Sequence, residues 1–406
     1  MNTETHIADR PVARASHDDD AHQALHDRLM AEAERLKPLL LRNAALHEQR
    51  GELTPEVLEA LDGLGAFKLL LPKRLGGLCA PAATMTALGA KISQSCPTAG
   101  WLVTVMNSAA WVASKAPERM QKAIFAKGPV RVCASTNGAG TLTRRGADYV
   151  VTGKWSYASG SHHSEWACAP AVGEDGTVYD VAMPMAKLKI ENTWRVAGMK
   201  GTGSDSLVAE NVVVQPEWFC TMDELWGGSG KSGFVELSDR WMLWPLMRAK
   251  LLGVLVGAAE GLFETVVAGK SKAIMYTSYT ERSGSPVYQA RVGEIAAKIR
   301  AMRIVMENSV EAIDRAAMDK RILSYAECAQ MRGLVGVAVD TLTEQVDKLM
   351  SLAGSSAFAE ANAAQRLWRD FSAAARHAVF YSDSHYEVYG RQLLGVEPNL
   401  VPVEMV

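Results

Sequence analysis

The spacing of apolar residues changes twice along this chain, and those two changes limit the folds open to it. From Ala21 to Arg50, Leu25, Leu29, Leu36 and Leu40 recur four and seven residues apart, the period of one helix face. Gly51 fits just past the end of that helix. Thr54-Pro55 then reads as an N-cap and first-turn proline, opening a short helix with Val57, Leu58 and Leu61 inward. Pro72 and Gly76-Gly77 break the chain before two further helices, about Ala82 to Gln94 and Thr98 to Ser114. At Gly128-Pro129 the period shifts. The runs VRVCAS, DYVVTGKW, EWACAPAV, VYDVAMPM and SLVAENVVV follow as far as Phe219, with turns such as Glu174-Asp175-Gly176 between them. They predict a compact antiparallel β-domain of about 90 residues. Helical spacing returns over about Leu243–Thr277, Pro286–Asp314, Ser324–Ala353 and Ala361–Gly390, enough for a four-helix bundle. The expected class is α+β, mostly α. It divides into a flexible arm (1–20), an N-terminal helical domain (21–129), a middle β-barrel-like domain (130–226) and a C-terminal helical bundle (227–406).

Charge and cysteine content narrow the function classes. Lys and Arg total 43 against 45 Asp and Glu, a net charge of −2, which offers no general attraction to nucleic acid or an anionic membrane. Cys79, Cys96, Cys133, Cys168, Cys220 and Cys328 are scattered without a C-x-x-C pair, and read as buried reduced thiols of a cytoplasmic protein. The start is polar, with Asp18-Asp19-Asp20, and has neither the form of a signal peptide nor of an anchor. The most apolar window, Met242 to Phe263, contains Arg248, Lys250 and Glu260, which a membrane span would not normally tolerate. A soluble protein is expected.

Two glycine-rich stretches resemble phosphate loops and fail the test. In Gly227–Gly233 (GGSGKSG) the required earlier glycine is Leu225, so the stretch reads as an inter-domain linker. Gly201–Ser206 (GTGSDS) lacks the third glycine of a dinucleotide fingerprint, and direct use of NAD is not expected. Adjacent His162 and His163 point to different sides of a strand or turn, no H-E-x-x-H occurs, and no metal site is expected. What remains is the tract Gly153–Trp166, GKWSYASGSHHSEW. Its small residues expose backbone N–H groups and hydroxyls, and its aromatics form an apolar wall, a combination suited to a planar heterocycle with acceptors along its edge. A plain strand–turn–strand with two core tryptophans fits the same letters.

From about residue 25 to the end, the order of helices, β-domain and four-helix bundle resembles the acyl-CoA dehydrogenase fold. Within it, GKWSYASGSHHSEW is similar to the G-x-W-x-(aromatic)-(S/A)-S-G-x-x-H-(A/S)-x-W signature of oxygenase components of two-component, reduced-flavin-dependent monooxygenases. Arg376-His377-Ala378 with Tyr389–Gly395 (YGRQLLG) is similar to the R-H-A … Y-G-R-x-L-L-G run of the same subfamily, and Trp194–Ser204 carries the G-M-(R/K)-G-T-G-S turn of the superfamily.

The resemblance implies reduced FMN or FAD as cofactor, O2 as co-substrate, a flavin C4a-hydroperoxide that hydroxylates a small aromatic or heteroaromatic ring, a separate NAD(P)H-dependent flavin reductase, and a homotetramer. It implies catalytic roles for His377 and Ser159, with Ser159 at the flavin N5 edge, and a place for Trp166 near the cofactor. It implies phosphate contacts for Arg282 and for Gly354-Ser355-Ser356, the latter toward the flavin of a neighbouring subunit. Trp101, Trp111, Trp241 and Trp244 are candidate walls for the substrate. One departure bears on the substrate. Phenol hydroxylases of the subfamily often carry W-x7-H-x-W; here Trp101 and Trp111 match, but Ala109 stands at the histidine position, which disfavours a plain phenol and leaves room for an indole-type ring.

Two rivals are weighed on the same residues. An acyl-CoA dehydrogenase needs a carboxylate base, yet after Arg369-Asp370 no Glu occurs before Glu387, leaving Glu260 as the substitute. A non-catalytic assembly protein would have little reason to keep the Ser-Gly turn and His377 together.

Overall fold

The structure, a computed structural model, describes residues 17–226 and 236–400. Helix α1 (His17–Arg50) starts inside the expected arm and runs through Pro38, and Gly51 at φ +73 ends it. The remainder of the arm, residues 1–16, and the 227–233 stretch read as a linker lie outside the described residues. In α2 (Pro55–Leu64) the proline occupies the first turn and Val57 and Leu61 are buried, while Leu58 is half-buried. Thr54 stands at its N-cap position, but its hydroxyl donates to Asn43 Oδ1 at 2.9 Å and does not cap the helix. Helices α3 (Ala82–Ser93), α4 (Pro97–Ala113) and α5 (Glu118–Ile124) complete the first helical layer.

The sheet comprises β1 (Val132–Ala134), β2 (Gly140–Arg145), β3 (Asp148–Trp155), β4 (Trp166–Gly173), β5 (Val178–Pro184), β6 (Lys189–Glu191), β7 (Ser206–Val214) and β8 (Phe219–Thr221), followed by α6 (Met222–Trp226). Its order is β6-β7-β3-β2-β4-β5-β8, with β1 beside β4. It is mixed, not purely antiparallel: β1 and β2 both run parallel to β4. The reason lies in the GKWSYASGSHHSEW tract. After the β2–β3 hairpin, the chain crosses over and enters β4 on the far side of β2, so the tract between β3 and β4 is a crossover and not a hairpin turn. One sheet face packs on itself around Trp155, whose indole N–H donates to Pro170 O at 2.9 Å. The other lays Cys168, Ala182 and Cys220 against Ala109, Ala110 and Ala113 of α4 and Met120 of α5. All six cysteines are buried, and none is in a disulfide.

The bundle is α7 (Leu243–Val267), α8 (Pro286–Met318), α9 (Tyr325–Ala353), α10 (Ala363–Ala374) and α11 (Ser382–Leu394). Two expectations are corrected. The first helix stops at Val267, because the polar Gly269–Lys272 stretch gives it no apolar face to continue, and the last block is two helices. The break follows from chemistry: His377 Nδ1 accepts the Val379 N–H at 3.2 Å, taking that donor away from a helix ladder. The two helical layers meet along α3 and α7 through a glycine ridge. A Cβ at Gly257 would lie 2.0 Å from Ala90 O, and one at Gly261 would lie 1.9 Å from Gln94 O, so the backbones touch. Asp314 of α8 supplies the cap that α3 lacks, accepting the Ala82 and Ala83 N–H groups at 2.9 Å each. Among the described residues, no helix is long and apolar enough to cross a membrane.

A turn from the sheet docks on the bundle. Gly198 leaves no room for a side chain, since a Cβ there would lie 2.0 Å from Arg369 O, and the next N–H, of Met199, donates to Asp370 Oδ1 at 2.6 Å. Burial pushes the Asp370 carboxyl up to about 6.

One buried acid has no such partner. Asp180 of β5 has a carboxylate oxygen without a hydrogen bond, and burial raises its pKa from 3.8 to about 7. The folded pKa exceeds the unfolded one, so the folded chain holds the extra proton between these values, and stability falls as pH rises through that window. Asp180→Asn is expected to raise the thermal midpoint at pH 8.5 by about 2–5 °C and by about half as much at pH 5.5, midway through that window. An equal shift at both values, in differential scanning calorimetry, contradicts the assignment.

Candidate functional site

The crossover between β3 and β4 is held where it can serve a site. Tyr157 and Gly160 adopt left-handed backbone, at φ 62 and φ 78, and the Gly160 N–H donates to Thr202 O at 2.9 Å. These turns bring Ser159 to the N-terminal part of α4. The Trp101 indole N–H donates to Ser159 Oγ at 3.3 Å, and Ser159 Oγ lies 2.7 Å from Ser204 Oγ. Ser204 Oγ is in turn 2.7 Å from Thr202 Oγ1, which donates to Met199 O at 2.8 Å. Beside Ser159, exposed Tyr157 stands edge-on to Trp194, with ring centroids 5.8 Å apart.

His377 arrives from the break between α10 and α11. Its ring centroid is 5.3 Å from that of Trp101, with the rings tilted by 60°. One side of His377 is open to solvent while protein crowds the rest, and that partial desolvation lowers its pKa from the ordinary 6.5. The Val379 N–H donates to its Nδ1, so the neutral ring carries its proton on Nε2, an assignment made from the hydrogen bonds. Val379 is held at its other end as well. Its carbonyl accepts from His385 Nε2 at 2.8 Å, and His385 Nδ1 accepts from Arg332 Nε at 3.0 Å. Burial, then the nearby Arg332 and Arg248, hold the His385 pKa down to about 4, so this ring is a neutral strut.

A second group forms at the far end of α10. Arg282 Nη2 donates to Ala353 O, the last residue of α9, at 3.0 Å. Next to it Gly354 has φ 77 and ψ −179, a conformation open essentially to glycine alone, and Ser355 and Ser356 are exposed. A guanidinium, a bare backbone and two hydroxyls make a set that suits a phosphate. Helix α10, 12 residues and therefore about 18 Å long, runs between this group and His377.

The remaining expected residues have other partners. Trp111 and Trp241 are a buried edge-on pair, 0% and 5% exposed, with indole N–H groups satisfied by Ser238 O at 2.7 Å and Asp314 Oδ1 at 2.8 Å. They belong to the packed core of the first helical layer. Trp244 is half-buried with the Arg248 guanidinium 5.9 Å from its ring centre. Trp166 stacks edge-on with Trp218 at 5.4 Å. His162 and His163 diverge as expected: the first pairs with Asp205 Oδ2 at 2.7 Å, the second accepts the Leu53 N–H at 3.0 Å. Sequence reasoning missed Thr202, Ser204 and His385. The first two sit in the GMKGTGS turn, whose glycines drew notice while its hydroxyls did not.

Comparison with known proteins adds to this geometry. Residues 251–382 match the family model described as acyl-CoA dehydrogenase, C-terminal domain. The chain is 27% identical over 385 residues to the flavin-dependent monooxygenase oxygenase subunit HsaA of Mycobacterium tuberculosis (strain ATCC 25618 / H37Rv), covering 91% of this chain and 96% of that protein. It is 25% identical over 391 residues to the oxygenase component of an FADH(2)-dependent resorcinol hydroxylase from Rhizobium sp. (strain MTP-10005), covering 92% and 95%. The solved structure of XiaF from Streptomyces sp., in complex with FADH2 and glycerol, is similar with a TM-score of 0.90 at 28% identity, covering 95% of this chain and 100% of that one. The fold is that of the acyl-CoA dehydrogenases. Within it, the likeness extends over nearly the whole length, and the chain is an enzyme of the flavin-dependent monooxygenase kind.

Proposed function

We propose that the chain is the oxygenase component of a two-component system, hydroxylating a small aromatic or heteroaromatic ring with reduced FMN or FAD delivered by a separate NAD(P)H-dependent reductase. The observation that carries this reading is the meeting of Ser159 and His377 on either side of Trp101, three residues drawn together from separate segments. The residues present fit a flavin: a half-buried hydroxyl, an aromatic wall and a histidine N–H at one group, and Arg282 with Gly354, Ser355 and Ser356 at the other. When bound, the reduced flavin supplies the activation of O2 and the oxygen atom transferred to the ring. Ser159 would hold the flavin at its N5 edge, Trp101 would keep water from it, and His377 would offer Nε2–H beside it. Arg282 and Gly354–Ser356 hold the phosphate of a flavin seated on a neighbouring copy of the chain, in a cytoplasmic homotetramer. Trp166 would lie near the cofactor, and Trp101 with Trp244 is favoured over the buried Trp111 and Trp241 as substrate wall. Ala109 is buried in the core between α4, α5 and the sheet and carries no polar group that could hold a phenol oxygen, in keeping with an indole-type ring.

The dehydrogenase reading lacks a free base. Glu260 is clamped by Arg303 and by Gln94, and Asp370 is tied to the Met199 N–H. The test is single turnover: protein loaded with chemically reduced FMN or FAD is mixed with O2 and a panel of indoles and phenols. A ring-hydroxylated product whose oxygen derives from O2 is expected. No binding of reduced flavin at micromolar concentration, or electron transfer from an acyl-CoA instead, overturns the reading.

A further inference from the structure

We infer that the Thr202–Ser204 hydroxyl pair fixes the direction of the Ser159 proton and thereby selects the reduced over the oxidised flavin. The inference rests on the proposed place of Ser159 at the flavin N5 edge, and it extends that reading to two residues that touch no ligand.

The direction of this hydroxyl chain follows from its two ends. Met199 O can only accept; it takes the Thr202 N–H at 3.1 Å and the Trp194 indole N–H at 2.9 Å, and it lies 2.8 Å from Thr202 Oγ1, a separation of two oxygens that requires the Thr202 hydroxyl proton between them. Thr202 has one hydroxyl proton, so toward Ser204, 2.7 Å away, it must be the acceptor and Ser204 the donor. Ser204 has then given up its own proton, so across the 2.7 Å contact with Ser159 it accepts and Ser159 donates. At the other end, the Trp101 indole can only donate, and it fills one lone pair of Ser159 at 3.3 Å. Thr202 and Ser204 are 1% and 4% exposed, so water does not compete for these protons. Every proton in the chain points away from the cleft.

Ser159 is therefore left with one unused lone pair and no free proton. Toward a ligand it can accept and cannot donate. Reduced flavin carries a hydrogen on N5 and matches this hydroxyl; oxidised flavin presents a bare N5 lone pair and meets another lone pair. A mismatched polar contact in a half-buried site is expected to separate the two states by about tenfold in affinity. Thr202 and Ser204 are positioning residues, acting only through Ser159.

Removing the terminal acceptor frees the chain to reverse. In Thr202→Val the Ser204 proton loses its partner and can turn toward Ser159, whose own proton then turns outward. Ser204→Ala frees the Ser159 proton directly, while Thr202→Ser keeps the chain intact. The experiment titrates flavin-free protein with FMN and with FAD, each oxidised and each dithionite-reduced under anaerobic conditions, and reads the ratio of the two Kd values. Thr202→Val and Ser204→Ala are each expected to lower the preference for reduced flavin about tenfold, and Thr202→Ser to retain it. Wild-type ratios in both Thr202→Val and Ser204→Ala, with thermal midpoints confirming folded protein, overturn the inference. Ser159→Ala separates the two levels of failure. If it shifts the ratio while the positioning variants do not, the wiring is wrong; if it shifts neither affinity, Ser159 is not at the flavin and the site reading itself falls.

Discussion

His377→Ala is expected to lower the rate of product formation about hundredfold while reduced flavin still binds and is still oxidised, so that the electrons appear as hydrogen peroxide. The expectation follows from how the ring is held. Partial burial keeps it neutral at pH 7, and the Val379 N–H occupies Nδ1, so the only group it can present to the cleft is Nε2–H. As a donor it supports negative charge on the reacting oxygen; as a base it would first have to give up its Val379 bond. His377→Gln, which reaches with an amide N–H, is therefore expected to recover part of the coupling, and His377→Asp none. A folded pKa below 6.5 means that the ring gains its second proton, on Nδ1, only on the acid side of that value; there it loses the Val379 N–H bond that orients Nε2–H, and coupling is expected to fall. Product and peroxide per reduced flavin, measured together, decide the matter. Full coupling in His377→Ala removes this histidine from the reaction.

The large elements were legible because each rests on a strong local signal. Pro55, Gly51 and Ser324–Glu327 mark helix ends through caps and turns that depend on a few neighbouring residues. The parallel pairing of β4 with β2 was not legible, since the strand itself has the same letters whichever neighbour it joins; only the crossover decides. The break at His377 was hidden for a related reason, because the apolar period continues across it and a single side chain-to-backbone bond interrupts the ladder. In the site, Ser159 and His377 were singled out by resemblance, and their meeting depends on Gly198 docking against Arg369, a contact between residues 171 positions apart in the neighbouring Met199–Asp370 bond. Trp111 and Trp241 show the opposite case. A tryptophan on an apolar helix face reads equally as wall or as core, and only its buried, satisfied indole decides.

At a reduced-flavin concentration well below the weakened Kd of Arg282→Ala, mixing Arg282→Ala chains with His377→Ala chains is expected to restore about a quarter of wild-type turnover, although each variant alone turns over at least about tenfold more slowly. The argument is geometric. His377 and the Arg282–Gly354 group sit at opposite ends of α10, and the proposed assembly lets the phosphate group of one copy serve the cleft of another. If each flavin is shared in this way between paired copies, half of randomly formed pairs are mixed, and each mixed pair holds one site with both wild-type halves and one with neither, which gives about one quarter of sites intact. If both halves serve the same chain, every site in every mixture carries one defect and no turnover returns. Arg282→Ala by itself is expected to weaken reduced-flavin binding by about tenfold to hundredfold through loss of a charge-assisted phosphate contact. It also frees the Ala353 carbonyl at the end of α9, so Arg282→Lys, which keeps the charge, tells phosphate binding from a frayed helix end. Recovery of turnover on co-expression, absent when purified variants are mixed without subunit exchange, establishes the shared site; turnover that stays at background after exchange shown by native mass spectrometry excludes it.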